Sequence, residues 1–341
     1  MKKKIIFIFF TILVLMITLI VLVNGYSKKD EIKVLENSQD VIWSGSFQLA
    51  WNELIESCGT KVEFNDDISF VRTLNDKWFT KDMIDKNDYY IMVGETNFEL
   101  KNKIKKDIKQ KFKRNDNNII NKMNFFEDNG ITIYSTLNKT FDFINKFDEL
   151  SNSRFGNSKE NVKYFGINNK SDESLNNNVE VMYFDYSSED YVIKLKTKSN
   201  EEVLLYRCDI NKPFDVLYNE IVESSKNFEG DTEFLEHDQI MIPYINLNVL
   251  IKYSELCNKV IKGTDGKFIR NAIEDVRFSL NENGVNLKSE SVIQATMMSS
   301  YKDARYFLFN NNFVLFLKEC DKEKPYFGIK IKDTEFLEYE N

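Results

Sequence analysis

The sequence has few of the residues that build metal sites, redox pairs and tight loops. Its 341 residues include one His, four Cys, three Pro and 12 Gly. One imidazole excludes any metal site that needs several histidines, and the four cysteines form no CxxC pair and no Cys/His cluster. The single histidine, His237, sits in the charged run Glu236-His237-Asp238, which is typical of an exposed turn. We therefore expect no metal site, no cofactor and no catalytic histidine.

The motifs of the large nucleotide-binding and hydrolase classes are also absent. The chain contains no GxGxxG, no GxxxxGKS/T and no GxSxG, so glycine-rich phosphate loops and the nucleophile elbow are excluded. The paired acidic residues Asp66-Asp67 and Glu189-Asp190 have the character of turns. We therefore expect a protein that is not an enzyme.

The charge balance bears on the partners. Acidic residues outnumber basic ones, 54 against 46, which gives a net charge of −8. A general nucleic-acid binder needs a basic field to displace counterions, so we expect no nucleic acid. Apolar residues make up 42% and aromatic residues 14% of the chain, too many for a disordered protein. The length suffices for a domain with a substantial core, and we expect a monomer.

The chain begins with a long apolar run. Lys2, Lys3 and Lys4 precede the uninterrupted apolar segment 5–23. A helix over those ~19 residues would span roughly 28 Å, close to the hydrocarbon thickness of a bilayer. The positive cluster before it predicts an internal N-terminus and an extracytoplasmic remainder. Two alternatives stay open: a single-pass signal anchor over 1–25 in the cell membrane, or a signal peptide cut after Gly25 that leaves a secreted protein.

The rest of the chain divides simply. The polar segment 26–40 is typical of a juxtamembrane linker, and 41–341 is predicted to be one domain. An exported location permits disulfides, and four cysteines allow three pairings. Cys58 and Cys257 each lie on an apolar face of a predicted helix, which favours buried free thiols instead of disulfides. The four are Cys58, Cys208, Cys257 and Cys320.

Two helices are predicted in the first half. The first covers 41–59, with one apolar stripe, a cap at Ser44 or Ser46, and Gly59 at its end. The second begins with a capping box at Thr96 and Glu99. Its apolar face carries Leu100, Ile104, Ile108 and Phe112, and its other side carries Lys101, Lys103, Lys105, Lys106, Lys109, Lys111, Lys113 and Arg114. Such a basic face fits either an anionic surface or plain solvation.

The second half is mainly β. Alternating apolar residues predict strands at 131–137, 179–186, 191–197, 202–208, 240–247, 275–280, 312–318 and 326–332. The last two form a hairpin, and Pro243 marks an edge or a bulge. Helices are predicted after Pro213 and over 249–262, where Gly263 ends the second. Helices first and strands later make this an α+β fold rather than an alternating α/β fold.

Five stretches follow one another in the chain: Ser44-Gly45-Ser46-Phe47 through Gly59, the segment 131–143, Ile240-Met241-Ile242-Pro243-Tyr244 with the helix after it, Val276 to Gly284, and Phe313 to Leu317 with Pro325 to Gly328. In this order they resemble the serpins, a family of serine-protease inhibitors with a mixed fold and an exposed reactive-centre loop. The resemblance implies a serpin-like domain with a central β-sheet and a C-terminal β-hairpin.

The resemblance also implies a functional loop over about 285–305. Its hinge residues would be Glu282, Gly284, Val285 and Leu287, and its scissile bond would lie near Met298–Ser299. A Met there suits an elastase-like or chymotrypsin-like protease, whereas Lys302 or Arg305 would suit a trypsin-like one. The expected partner is a serine or cysteine protease.

The hinge sequence leaves the mechanism open. Positions 285, 287, 289 and 291 alternate as an inserting strand requires, with Val, Leu, Ser and Ser facing the core. Inhibitory serpins generally carry small residues here, and Leu287, Lys288 and Glu290 depart from that pattern. The alternatives are therefore a protease inhibitor at the membrane, a non-inhibitory binding or structural protein with the same fold, or an unrelated α+β surface domain.

Overall fold

The computed structural model describes residues 32–38, 40–114, 120–126, 130–286 and 304–340. The segment 5–23, predicted to enter the membrane, and the sites Leu287, Met298 and Ser299 lie outside these ranges. No helix within the described ranges is long and apolar enough to cross a bilayer. One compact unit spans Val34–Asn341.

The helices in these ranges are few and short. They are α1 (Gly45–Cys58), α2 (Ser69–Asn75), α3 (Phe98–Phe112) and α4 (Phe214–Lys226), with 3₁₀ turns at Lys81–Met83, Glu173–Asn178 and Ser254–Leu256. The strands are β1 (Lys33–Glu36), β2 (Ile42–Ser44), β3 (Tyr89–Glu95), β4 (Gly130–Leu137), β5 (Phe141–Asp142), β6 (Asp148–Arg154), β7 (Asn161–Ile167), β8 (Val179–Phe184), β9 (Tyr191–Lys196), β10 (Glu201–Arg207), β11 (Gln239–Pro243), β12 (Ile245–Lys252), β13 (Phe268–Asn281), β14 (Gly284–Asn286), β15 (Tyr306–Leu308), β16 (Phe313–Glu319) and β17 (Phe327–Ile331).

The first helix has the predicted caps. The Ser44 hydroxyl accepts a hydrogen bond from the backbone N–H of Ser46 at 3.3 Å, and Gly59 ends the helix with φ 71°. The apolar stripe is buried against β3 and β4 and contains Phe47, Ala50, Trp51 and Leu54. The helix begins four residues later than predicted, because residues 42–44 form strand β2.

The N-cap of α3 lies one residue later than the sequence predicted. The Asn97 side chain accepts a hydrogen bond from Leu100 N–H at 2.7 Å, whereas the Thr96 hydroxyl bonds to that of Thr132 at 2.9 Å. Ile104 and Ile108 are fully buried, so the predicted apolar face is confirmed.

Three sheets surround the core. The first has seven strands in the order β1-β12-β13-β14-β5, with β4 beside the N-terminal half of β13 and β3 beside β4. The second runs β2-β17-β16-β10-β9-β8 and is antiparallel throughout. The third runs β15-β11-β7-β6. One apolar cluster collects residues from α1 and from all three sheets, and α4 packs through Leu217 and Ile221 on the outer side of the second sheet. The predicted mixed α+β class is confirmed.

The predicted helix over 249–262 is wrong. Residues 245–252 form strand β12, and only the short turn Ser254–Leu256 is helical. Leu247, Val249 and Ile251 are buried in the core, with the period of two that a strand requires. Their pairing partners lie on β13, so the neighbouring strand decides the structure.

The strand that Pro243 was predicted to interrupt is two strands. β11 ends at Pro243 in the third sheet, and β12 begins at Ile245 in the first sheet. Upstream, β1 lies within the segment 26–40 that the sequence predicted to be a linker.

The four cysteines are free thiols, but none is fully buried, whereas the sequence favoured buried thiols. Cys58, Cys208 and Cys257 are partly buried, and Cys320 is exposed. Burial raises the pKa of the Cys208 thiol to about 12 and raises that of Cys257, so both are neutral at physiological pH.

Candidate functional site: the seam between β4 and β13 and the adjoining hinge

The first sheet contains one parallel seam. β4 and β13 pair in parallel from Gly130 with Phe268 to Thr136 with Asp275. The neighbouring pairs β12–β13 and β3–β4 are both antiparallel. A strand entering the seam in the opposite direction would make two antiparallel pairs in place of one parallel pair.

The chain turns back toward this seam directly after β13. Asn281 ends β13, and Glu282 and Asn283 form the turn. β14 then runs antiparallel both to the end of β13 and to β5, which continues from β4. β14 therefore already lies between the two elements that border the seam.

Gly284 makes this turn possible. Its φ is +147°, and a Cβ built on it would lie 2.3 Å from the carbonyl oxygen of Phe141. Both the backbone conformation and the close approach of β5 require glycine at this position.

The predicted hinge residues within the described ranges come together at this turn. The Glu282 carbonyl accepts a hydrogen bond from Phe147 N–H at 2.9 Å, and its carboxylate accepts one from the Asn283 amide at 2.7 Å. Lys146 Nζ lies 3.4 Å from the same carboxylate. Val285 is 2% exposed and packs in the core, as the first core-facing position of the predicted alternation.

Polar side chains hold the seam closed near its C-terminal end. Arg114, which follows α3, lies 2.7 Å from the Asp275 carboxylate and 2.7 Å from the Thr136 hydroxyl. That hydroxyl donates to the Asp275 carbonyl at 3.0 Å. Lower in the seam, the Asn271 amide donates to the Thr132 hydroxyl at 2.9 Å. These contacts must break before another strand can enter.

A fully buried carboxyl ties the seam to α1. Glu274 on β13 accepts hydrogen bonds from the Ser46 hydroxyl at 2.7 Å and from the Tyr253 hydroxyl at 3.0 Å. These donors are neutral hydroxyls, and burial raises the pKa of Glu274 and that of Tyr253. The sequence did not predict this group. Glu274 lies at a core-facing position of β13, and the residues two positions before and after it, Ala272 and Val276, are also buried.

A second polar cluster lies where β4 leads into β5. Lys139 makes ion pairs with Asp88 at 2.5 Å, with Glu319 at 2.9 Å, and with Glu201. The Tyr326 hydroxyl donates to Glu201 at 2.9 Å. Burial, opposed by the Lys139 ammonium, raises the pKa of Glu201 to about 7. The cluster joins the first sheet to the second, and no local sequence pattern could have found it.

Residues 305–308 are fixed by an ion pair. Arg305 is 5% exposed; its guanidinium lies 2.6 Å from the Asp238 carboxylate, and its backbone N–H donates to the same carboxylate at 3.0 Å. The next residues form β15, parallel to β11. The expectation that Arg305 could serve as an exposed recognition residue for a trypsin-like protease is therefore wrong, because the side chain is paired inside the protein. His237, next to Asp238, is exposed as predicted.

Comparison with solved structures identifies the architecture. The crystal structure of the mouse protein-Z dependent protease inhibitor matches with a TM-score of 0.52 and 12% identity, over 85% of this chain and 90% of that one. Serpin48 of the insect Tenebrio molitor, a highly specific serpin, matches with a TM-score of 0.50 and 11% identity, over 85% and 90%. No family model and no curated protein sequence matches the chain. At these identities the likeness concerns the fold, and the fold is serpin-like.

Proposed function

We propose that this protein is an extracytoplasmic, membrane-anchored inhibitor of proteases that presents residues 287–303 to its target protease as a cleavable loop. The observation that carries the proposal is the parallel seam between β4 and β13 with β14 already turned toward it. After a protease cuts the loop, the segment that follows β14 would enter the seam as a new antiparallel strand. The apolar run 5–23 would hold the protein at the membrane, and Gly25 remains the alternative cleavage position.

The energetics of insertion support this proposal. A new strand gains main-chain hydrogen bonds on both edges, and both new pairs are antiparallel. Val285 is already buried, and the next core-facing positions would be Leu287, Ser289 and Ser291. Insertion of the cut segment would release stored conformational free energy, and a protease still covalently attached to that segment would be carried along the sheet. The uncut protein would keep that free energy stored.

The expected target follows from the residue at the bond. Met298–Ser299 would be the scissile bond, and an unbranched apolar side chain at that position suits an elastase-like or chymotrypsin-like serine protease. A cysteine protease with an apolar pocket is a further candidate. Because Arg305 is buried, a trypsin-like protease would have to use Lys302.

A second candidate function has its own supporting observation. The contacts of Arg114, Thr136 and Asp275 fasten the seam, and Lys288 and Glu290 put charges into the segment that would insert. A fold with a fastened seam would act as a non-inhibitory binding or structural protein at the cell surface. The two functions differ in whether the loop enters the sheet after cleavage.

The test is incubation of the purified protein with elastase-like, chymotrypsin-like, trypsin-like and cysteine proteases, followed by denaturing gels. Inhibition predicts a covalent protease complex with at least one of them. Leu287→Arg places a charge on a core-facing position of the inserting strand, so it should convert the inhibitor into a cleaved substrate. Lys288→Arg, at the neighbouring outward position, should leave the complex unchanged. Clean cleavage without a complex in every case would support the second function.

A further inference from the structure

The outward face of α3 carries a row of exposed lysines. Lys103, Lys106, Lys109 and Lys113 follow one another at spacings of three or four residues, and all four are exposed. Ile104 and Ile108 lie on the opposite side of the helix and are fully buried. Lys103, Lys106 and Lys109 lie three residues apart within α3 and are therefore neighbours on its surface, and Lys113 directly follows the end of the helix.

The other basic residues of this helix contact other parts of the described structure. Lys101 lies over the Phe125 ring, Lys105 donates to Asn121 at 3.0 Å, and Lys111 donates to the carbonyl of Lys86 at 2.6 Å. Within the described ranges, none of the four outward lysines makes an ion pair or a side-chain hydrogen bond. Like charges at this spacing repel one another, so the row is an unfavourable arrangement for the helix alone.

Two exposed aromatic side chains lie on α3 or in the segment that packs beside it. Phe98, the first residue of α3, is 59% exposed, and Phe126 is 66% exposed. Phe98 precedes Lys109 by eleven residues, about three helical turns, and so lies on the same side of the helix. The segment with Phe126 packs beside α3, because Asn121 and Phe125 contact Lys105 and Lys101. Exposed phenyl rings together with exposed lysines are the pattern of a helix that lies on a membrane interface.

We infer that the α3 face, defined as Phe98, Lys103, Lys106, Lys109, Lys113 and Phe126, binds a bilayer that contains anionic lipid. The lysine stems would lie along the interface with their ammonium groups at the phosphates, and the two rings would enter the boundary between headgroups and acyl chains. A soluble polyanion would use the charges but would leave the rings in water, so the rings favour lipid. Binding of the α3 face to lipid does not require protease inhibition.

The experiment uses the full chain in lipid nanodiscs of phosphatidylcholine alone or mixed with phosphatidylglycerol. An amine-reactive reagent followed by mass spectrometry measures the labelling rate of each lysine. The four outward lysines should be labelled several-fold more slowly on the anionic discs, and high salt should restore their rates. The exposed lysines Lys170, Lys198 and Lys226 serve as internal controls and should be labelled equally on both discs.

Variants on and away from the lysine row sharpen the result. Each Lys→Gln change in the row should weaken the bound state about 5-fold, the equivalent of about 1 kcal/mol per lysine. The matched variant Lys170→Gln/Lys198→Gln should have no effect. Phe98→Ser with Phe126→Ser should also reduce protection. Equal labelling on the two discs would overturn the inference. Protection by dextran sulfate without lipid, combined with no effect of the Phe changes, would also overturn it and assign the face to a polyanionic polymer.

Discussion

Nη2 of Arg114 lies 2.7 Å from Oδ2 of Asp275, so a residue that follows α3 contacts strand β13 of the parallel seam. The same nitrogen donates to the hydroxyl of Thr136 on β4. One guanidinium therefore spans both strands that a third strand would have to separate. This contact is one of those that must break before the two strands can separate.

The first prediction concerns that contact. Arg114→Ala removes one cation from the fully buried Asp275 carboxylate, which keeps Arg277 Nε at 3.3 Å, so the free energy of unfolding should fall by about 2 kcal/mol. Urea denaturation measures the change. The exposed neighbour Lys113→Ala is the control and should change stability by less than about 0.5 kcal/mol. Equal effects of the two variants would mean that the ion pair does not fasten the seam.

The second prediction concerns the glycine of the hinge. Gly284→Ala must take φ near +147° and meet the Phe141 carbonyl, so β14 should detach and amide hydrogen exchange of residues 284–286 should accelerate. Gly263→Ala is a matched control, since Gly263 also has positive φ, +75°, but a Cβ there meets nothing within 4 Å. It should cost about 1 kcal/mol. Unchanged exchange at the hinge would contradict the assigned geometry.

The third prediction concerns the buried carboxyl at α1. Glu274→Gln keeps an acceptor for Ser46 or Tyr253 and should cost no more than about 1 kcal/mol at neutral pH, whereas Glu274→Ala should cost about 2–4 kcal/mol. The raised pKa fixes the sign of the pH dependence: wild type loses stability as pH rises from the ordinary glutamate pKa toward the folded-state pKa. Glu274→Gln should therefore gain on wild type as pH rises. A constant difference would mean that Glu274 is already charged.

The fourth prediction concerns Glu201. Its pKa is raised to about 7 from 4.5, so its contribution to stability is complete below pH 4.5 and is lost as pH rises through about 7. The slope of unfolding free energy against pH between these values should flatten in Glu201→Gln. Urea denaturation of both proteins across that range measures it, and an unchanged slope would assign the titration to another group.

The fifth prediction concerns Arg305 and the strand β15 that follows it. Arg305→Ala leaves the Asp238 carboxylate buried without its partner, so β15 should separate from β11. Faster amide exchange at residues 306–308, with little change in β16, would report local release. The exposed Arg154→Ala serves as the control. Global unfolding without local release would mean that the pair supports the whole core instead.

Local patterns predicted the local parts of this fold. The serine cap and Gly59 of α1, the meander β8–β10 and the closing hairpin β16–β17 each depend on residues close together in the chain. The turn at 281–284 belongs to the same group. For these elements, capping, alternation and turn chemistry agree with the final packing.

The parts that the sequence did not predict depend on distant partners. Residues 249–252 of β12 fall within the predicted helix 249–262, but they pair with β13 as a strand. The Arg305–Asp238 pair joins residues 67 positions apart, and the Arg114–Asp275 pair joins residues 161 positions apart. Spacing along the chain carries no information about such contacts, so the functional seam could be expected from a family resemblance but not built from periodicity.

The most direct test of strand insertion is the melting temperature of the protein before and after a single cut within residues 287–303. We expect the melting temperature to rise strongly after cleavage, because the freed segment would form antiparallel hydrogen bonds with both β4 and β13. Leu287→Arg should suppress the rise. An unchanged or lower melting temperature in cleaved wild-type protein would show that the seam stays closed, and the inhibitor function would have to be abandoned.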